Sequence, residues 1–116
     1  MPTMVDTSVK HMQKCIDECN KCMQACEECL TSCMKEPGIQ ARVKCMQILH
    51  DCADICSFAS QYMSRNSQYA KDICGLCANI CEQCAKECRM FKDEHCQACA
   101  DECDRCAQEC RNMAGM

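Results

Sequence analysis

Six cysteines open the chain at Cys15, Cys19, Cys22, Cys26, Cys29 and Cys33, spaced four, three, four, three and four residues apart. Those steps put every thiol on one face of an α-helix, on the seam where leucines would ordinarily meet a partner helix. Neighbours at such steps stand about 5–6 Å apart at Cβ, close enough for two sulfurs to hold one metal ion. The pattern returns in Cys74, Cys77, Cys81, Cys84 and Cys88, and again in Cys96, Cys99, Cys103, Cys106 and Cys110. A fourth seam is more conventional: Cys45, Leu49, Cys52, Cys56, Ala59 and Met63. Cysteine can be a small buried hydrophobe, but its recurrence along four seams points to metal chemistry.

Soft thiolates select Cu(I), Zn(II) or iron–sulfur clusters. A buried metal core must be nearly neutral, because uncompensated charge in an apolar interior costs several kcal/mol per ion. The chain has 19 cysteines. Tetrahedral Zn(II) with four unshared sulfurs per ion would leave a large negative charge. One Cu(I) per thiolate sums to zero, with each ion held by two sulfurs and each sulfur bridging two ions. Zinc and iron–sulfur sites also draw on loops that wrap around one centre, which a straight seam does not supply.

The elements that must position these thiols follow from the same spacing. The sequence predicts an all-α, antiparallel up-down-up-down four-helix bundle with a cysteine-lined core, a single domain over residues 1–116. Its helices are expected over about 6–36, 39–64, 67–91 and 94–113. Asp6, Thr7 or Ser8 can cap the first, and Pro37 and Gly38 stop it. Asn66 suits a left-handed turn position, while Ser67 and Asp93 are the expected N-caps of helices 3 and 4. In an antiparallel pair the numbers of facing residues have a constant sum. Helices 1 and 2 match at 78, as in Cys26 with Cys52, and helices 2 and 3 at 133, as in Cys56 with Cys77. Flanking residues would pair Tyr62 with Tyr69 and Phe58 with Ile73, as packing between helices 2 and 3 or as a subunit interface. Charges would pair Lys14 with Glu109, Glu18 with Arg105 and Lys21 with Glu102. Helix 4 admits two registers one heptad apart: charge pairing sets Cys88 opposite Lys92, and the Asp93 cap sets Phe91 opposite Cys96.

Composition excludes several classes. A net charge of −4 with dispersed basic residues leaves no nucleic-acid footprint. No apolar run reaches the roughly 18 residues of a membrane span. A secreted disulfide scaffold is disfavoured by the odd cysteine count, the helical spacing and the opening MPTMVDTSVKHMQK, which lacks an apolar signal-peptide core. The expected setting is a reducing cytoplasm, where thiols persist.

With four helices lined by CxxxC and CxxC steps, from Cys15 to Cys110, the chain resembles the bacterial copper storage proteins, and the N-terminus makes it similar to their cytosolic members. The resemblance implies a non-enzymatic protein that stores and detoxifies Cu(I), with many ions bound inside a preformed bundle. It also implies a homotetramer and copper admission at one bundle end through Met or His ligands, with a copper chaperone or efflux donor as a further partner. Met12, Met63 and Met113 continue three seams at one end, with His11 beside them, and form a candidate thioether mouth. The opposite end carries Met34, Phe91 and His95, which read as a plug, although His95 beside Cys96 can also serve as a ligand. His50 reads as a flank residue. The competing functions are a metallothionein-like Zn(II) or Cd(II) buffer, a thiol–disulfide oxidoreductase using pairs such as Cys74 and Cys77, and an iron–sulfur electron carrier.

Overall fold

The computed structural model describes residues 7 to 115. Four helices follow one another: α1 (Thr7–Met34), α2 (Val43–Ser64), α3 (Ala70–Arg89) and α4 (Glu94–Ala114), with a 3-10 turn, Ile39–Arg42, leading into α2. Short connections force neighbours antiparallel. Each helix packs on two others, α1 on α2 and α4, and α3 on α2 and α4, which closes a four-helix ring. Among the described residues no helix is long and apolar enough to cross a membrane.

The breaks obey local chemistry. Gly38 takes a left-handed φ of 71° and Asn66 a φ of 51°, both at turns where the chain reverses. The predicted second helix is divided, because the tighter 3-10 turn precedes Val43. Predicted ends at 36 and 91 overrun: α1 stops at Met34 and α3 at Arg89. Ser67 is not the N-cap of α3; Tyr69 holds that position. The Ser67 hydroxyl instead accepts a bond from the Tyr69 amide at 3.1 Å, closing a turn just ahead of the helix. Asp93 does stand at the N-cap of α4, yet its side chain makes no capping bond. Among the expected caps of α1, Asp6 and the side chains of Thr7 and Ser8 lie outside the described residues.

The core is built from sulfur and alanine. All 19 cysteines are free and buried, and Ala53, Ala59, Ala70, Ala78, Ala85, Ala100 and Ala107 fill the space beside them. Leu49 and Met63 are the large side chains buried completely. Small side chains leave little volume for ordinary packing, so close sulfur contact between helices takes its place.

The predicted α2–α3 register appears in the sulfur contacts. Cys56–Cys77 (3.7 Å), Cys52–Cys81 (3.6 Å) and Cys45–Cys88 (3.8 Å) all sum to 133. The two alternative α4 registers give way to a stagger. Cys110 touches both Cys15 (3.7 Å) and Cys19 (3.6 Å), and Cys103 touches both Cys22 and Cys26 at 3.8 Å. Each α4 sulfur thus sits between two α1 sulfurs one turn apart, as a knob sits in a hole. This keeps Lys14 on Glu109 at 3.2 Å and still leaves Asp93 as the first residue outside α4. The other two predicted charge pairs do not form: Lys21 reaches Glu18 on its own helix, and Arg105 reaches Glu102 on its own. Nor do the aromatic flanks become core. Phe58 and Tyr69 are about half exposed, at 50% and 56%, and Tyr62 stacks under Arg65.

Candidate metal centre

Four helices turn their seams inward, and the result is a continuous chain of sulfurs along the bundle axis. From one end, Cys15 meets Cys110, which meets Cys19 and Cys106. Cys106 leads to Cys56 at 3.9 Å, and Cys56 to Cys77 and Cys81 at 3.7 and 3.8 Å. Cys81 reaches Cys52 at 3.6 Å, Cys52 reaches Cys22 at 3.9 Å, and the path continues through Cys103 and Cys26 to Cys99. Gaps of 3.6–4.0 Å match the edges of polyhedra with metal–sulfur bonds of about 2.3 Å. Several groups of four sulfurs lie mutually within 4.8 Å, among them Cys22, Cys52, Cys56 and Cys81, and Cys19, Cys77, Cys106 and Cys110. They share members, so a metal in one group would bridge to the next.

The electrostatics of this interior favour protons over bare charge. Burial, and then the neighbouring Cys33, pushes the Cys96 thiol up to about 12. Hydrogen bonding to Cys103 raises Cys26, whereas bonding to Cys110 lowers Cys106, as expected where close thiols share protons unevenly. A cation entering this tube must displace protons one site at a time. Outside the tube, Glu18 and Glu102 meet between α1 and α4. Burial, and then the hydrogen bond with Glu18, raises Glu102 to about 7.

The two ends differ. At one, Met12, Met63 and Met113 are buried on the rim, and His11 is exposed beside them. At the other, Arg42 is the one buried charged residue among those described. Its guanidinium donates to Cys33 and Cys96 sulfurs at 3.8 and 3.7 Å, pairs with Asp93 at 2.7 Å, and stacks 4.6 Å over the Phe91 ring. The demand of Arg42 explains why Asp93 does not cap its own helix. Phe91 therefore belongs to the plug, but Met34 does not, being half exposed. His95 directs Nδ1 at Cys29 and Cys96, 3.5 Å from each sulfur. His50 is exposed on α2, as a flank residue should be.

Sequence reasoning passed over Arg42. The signal was present, since Arg42 stands three residues before Cys45 and continues the α2 seam. A charge on a seam position requires a buried partner, and Asp93 supplies it.

Comparison with known proteins places this geometry. Residues 8–115 match the model of the copper storage protein family. The chain is 43% identical over 86 residues to an uncharacterized cysteine-rich protein, YhjQ, of Bacillus subtilis, covering 74% of this chain and 80% of that one. It superposes on the Cu(I)-bound copper storage protein BsCsp3 of Bacillus subtilis with a TM-score of 0.86 and 44% identity, over 89% of this chain and 97% of that one. A cytosolic copper storage protein of Streptomyces lividans, solved with five coppers, gives a TM-score of 0.89 at 33% identity over 95% and 97% of the two chains. A sulfur-lined four-helix bundle matched over nearly its full length makes this chain a member of the copper storage protein family.

Proposed function

We propose that this protein stores and thereby detoxifies cytoplasmic Cu(I), holding about one ion per cysteine along the bundle axis. The observation that carries the reading is the buried sulfur chain itself: every thiol is buried, and neighbouring sulfurs stand at bridging distance. The ligands are Cys15, Cys19, Cys22, Cys26, Cys29, Cys33, Cys45, Cys52, Cys56, Cys74, Cys77, Cys81, Cys84, Cys88, Cys96, Cys99, Cys103, Cys106 and Cys110. Cu(I) fits the setting because one monovalent ion per thiolate leaves the interior neutral. Cys74 and Cys77, the pair an oxidoreductase would expose, are completely buried, which supports storage over thiol exchange.

Copper enters at the methionine end in this account, through Met12, Met63 and Met113 with His11 as the outermost donor. Neutral thioethers can pass Cu(I) inward without trapping it, whereas Arg42 at the far end places a fixed positive charge in the way. One domain, 1–116, does the work, as a homotetramer. The half-exposed Phe58 on α2, Tyr69 at the N-cap of α3 and Leu76 on α3 give a further copy an apolar surface to cover. A chaperone or efflux partner would meet the methionine end.

Anaerobic titration of the reduced protein with Cu(I), against a chromophoric chelator, tests the reading. Uptake should continue past about ten ions before the chelator competes. Saturation after a few ions, or preference for Zn(II), would sink it. Sedimentation analysis of the same sample tests the tetramer.

A further inference from the structure

Along the wall between the two ends the core cysteines are fully buried, except at one place. Cys29 on α1 and Cys99 on α4 keep 2% and 3% of their surface open, and both line a cleft of about 370 Å³ between those helices. Small side chains make the opening: Ala25 on α1 and Ala98 on α4 leave a gap that a leucine would close. The α1–α4 wall stands across the ring from the α2–α3 wall, where Phe58 and Leu76 are exposed. A further copy covering those two side chains leaves the cleft open.

The cleft carries charge of both signs. Arg105 donates to Glu102 Oε1 at 3.2 Å and is otherwise turned to solvent, its side chain 60% exposed. Glu102 Oε2 is buried and has no hydrogen-bond partner among the described residues. An unpaired buried carboxylate oxygen is destabilising, and an incoming donor relieves it. A pocket of this size with a few convergent polar groups suits a small molecule. Soft donors at the floor, an unpaired acceptor beside them and an exposed guanidinium at the rim select a molecule that combines a thiol, an ammonium and a carboxylate.

We propose that this cleft is a side window at which a low-molecular-weight amino-acid thiol docks and withdraws Cu(I) from Cys29 and Cys99, with its ammonium on Glu102 and its carboxylate on Arg105. The proposal rests on the storage reading and names the class of acceptor that empties the tube. The step is ligand exchange, and copper stays Cu(I) throughout. The thiol sulfur bonds to a copper ion held by Cys29 or Cys99, the copper–sulfur bonds to the protein break, and the thiol proton passes to the freed thiolate. One copper leaves with the incoming thiolate and one proton stays behind, so the charge of the tube does not change.

Two measurements test the window, one with copper and one without, both at about pH 8, where Glu102 is ionised. In the first, copper-loaded protein is mixed anaerobically with cysteine, and Cu(I) loss is followed with a chromophoric trap. The rate should saturate as cysteine rises, because the acceptor binds before transfer. Mercaptopropionate, which lacks the ammonium, should be slower about 10-fold and should not saturate. Ala98→Leu and Glu102→Gln should each slow transfer to cysteine about 10-fold, and Gln108→Leu, on the exposed side of α4, should match the unaltered protein. A rate linear in cysteine, or one indifferent to Ala98→Leu, would overturn the proposal. In the second, the reduced copper-free chain meets aminoethyl methanethiosulfonate, a small cationic reagent that forms a mixed disulfide with a thiol and releases methanesulfinate. Peptide mapping should find Cys29 and Cys99 labelled ahead of the fully buried thiols, and Ala98→Leu should suppress that labelling. Labelling that begins at Cys52 or Cys81, or that ignores Ala98→Leu, would equally defeat the window. A Cu(I) count on the unaltered protein judges storage separately, so the two readings fail in different experiments.

Discussion

The two ends of the sulfur tube are built from opposite materials. One is ringed by Met12, Met63 and Met113, neutral and polarizable, with no buried charge among the described residues. The other is locked by Arg42, which gathers Asp93 from the α3–α4 connection, Phe91 beneath it and two core thiols into one cluster. Both ends cap the same column of thiols, one with neutral thioethers and the other with a fixed positive charge. An antiparallel bundle makes such polarity inexpensive to encode, because each end draws on the start of two helices and the finish of the other two.

Stability measurements on the copper-free protein probe that contrast first. Met63 is fully buried at the methionine end, so Met63→Ala should cost about 2–4 kcal/mol in urea denaturation, the usual range for a large core truncation. A cost below about 1 kcal/mol would mean that end is loosely packed. Arg42→Leu, at the other end, strands Asp93 and removes hydrogen bonds to a charged group, and should cost about 2 kcal/mol. A neutral result would dismiss the lock. Loading kinetics come next: Met113→Ala should slow Cu(I) uptake from a chelator several-fold, and an unchanged rate would move the mouth elsewhere.

The smallest effect concerns the wall between the ends. Glu102 titrates near 7 in the folded chain, above its ordinary 4.5, because burial and Glu18 favour the protonated form. Its contribution is therefore fully present below about 4.5 and lost as pH rises through about 7. The copper-free protein should melt at a higher temperature at pH 5.5 than at pH 8, on the order of a few degrees. Glu102→Gln should flatten that slope; an unaltered slope would show that the carboxyl pair is not its source.

The seam spacing made the four helices, the inward thiols and the α2–α3 register legible, because a three–four repeat permits one buried face. Cys56 and Cys77 match on their sequence numbers alone. The stagger of α4 was not legible. It depends on each sulfur settling between two neighbours, a packing choice below the resolution of integer register sums. Charge pairs failed for a related reason: Lys21 and Arg105 have carboxylates one turn away on their own helices and stay solvated there. The Arg42 lock was hidden because a helix-start rule assigned Asp93 to its own backbone, while a buried guanidinium makes the stronger claim on a carboxylate. Of the two readings of Phe58 and Tyr69, packing between α2 and α3 gives way to half-exposed rings.

Native mass spectrometry of the protein loaded anaerobically with excess Cu(I) addresses the central claim most directly, because it counts ions per chain. The account predicts a distribution that climbs beyond about ten and approaches nineteen, one per cysteine, with the bundle still folded. A distribution that ends at four or five ions, as isolated four-sulfur sites would give, would contradict it.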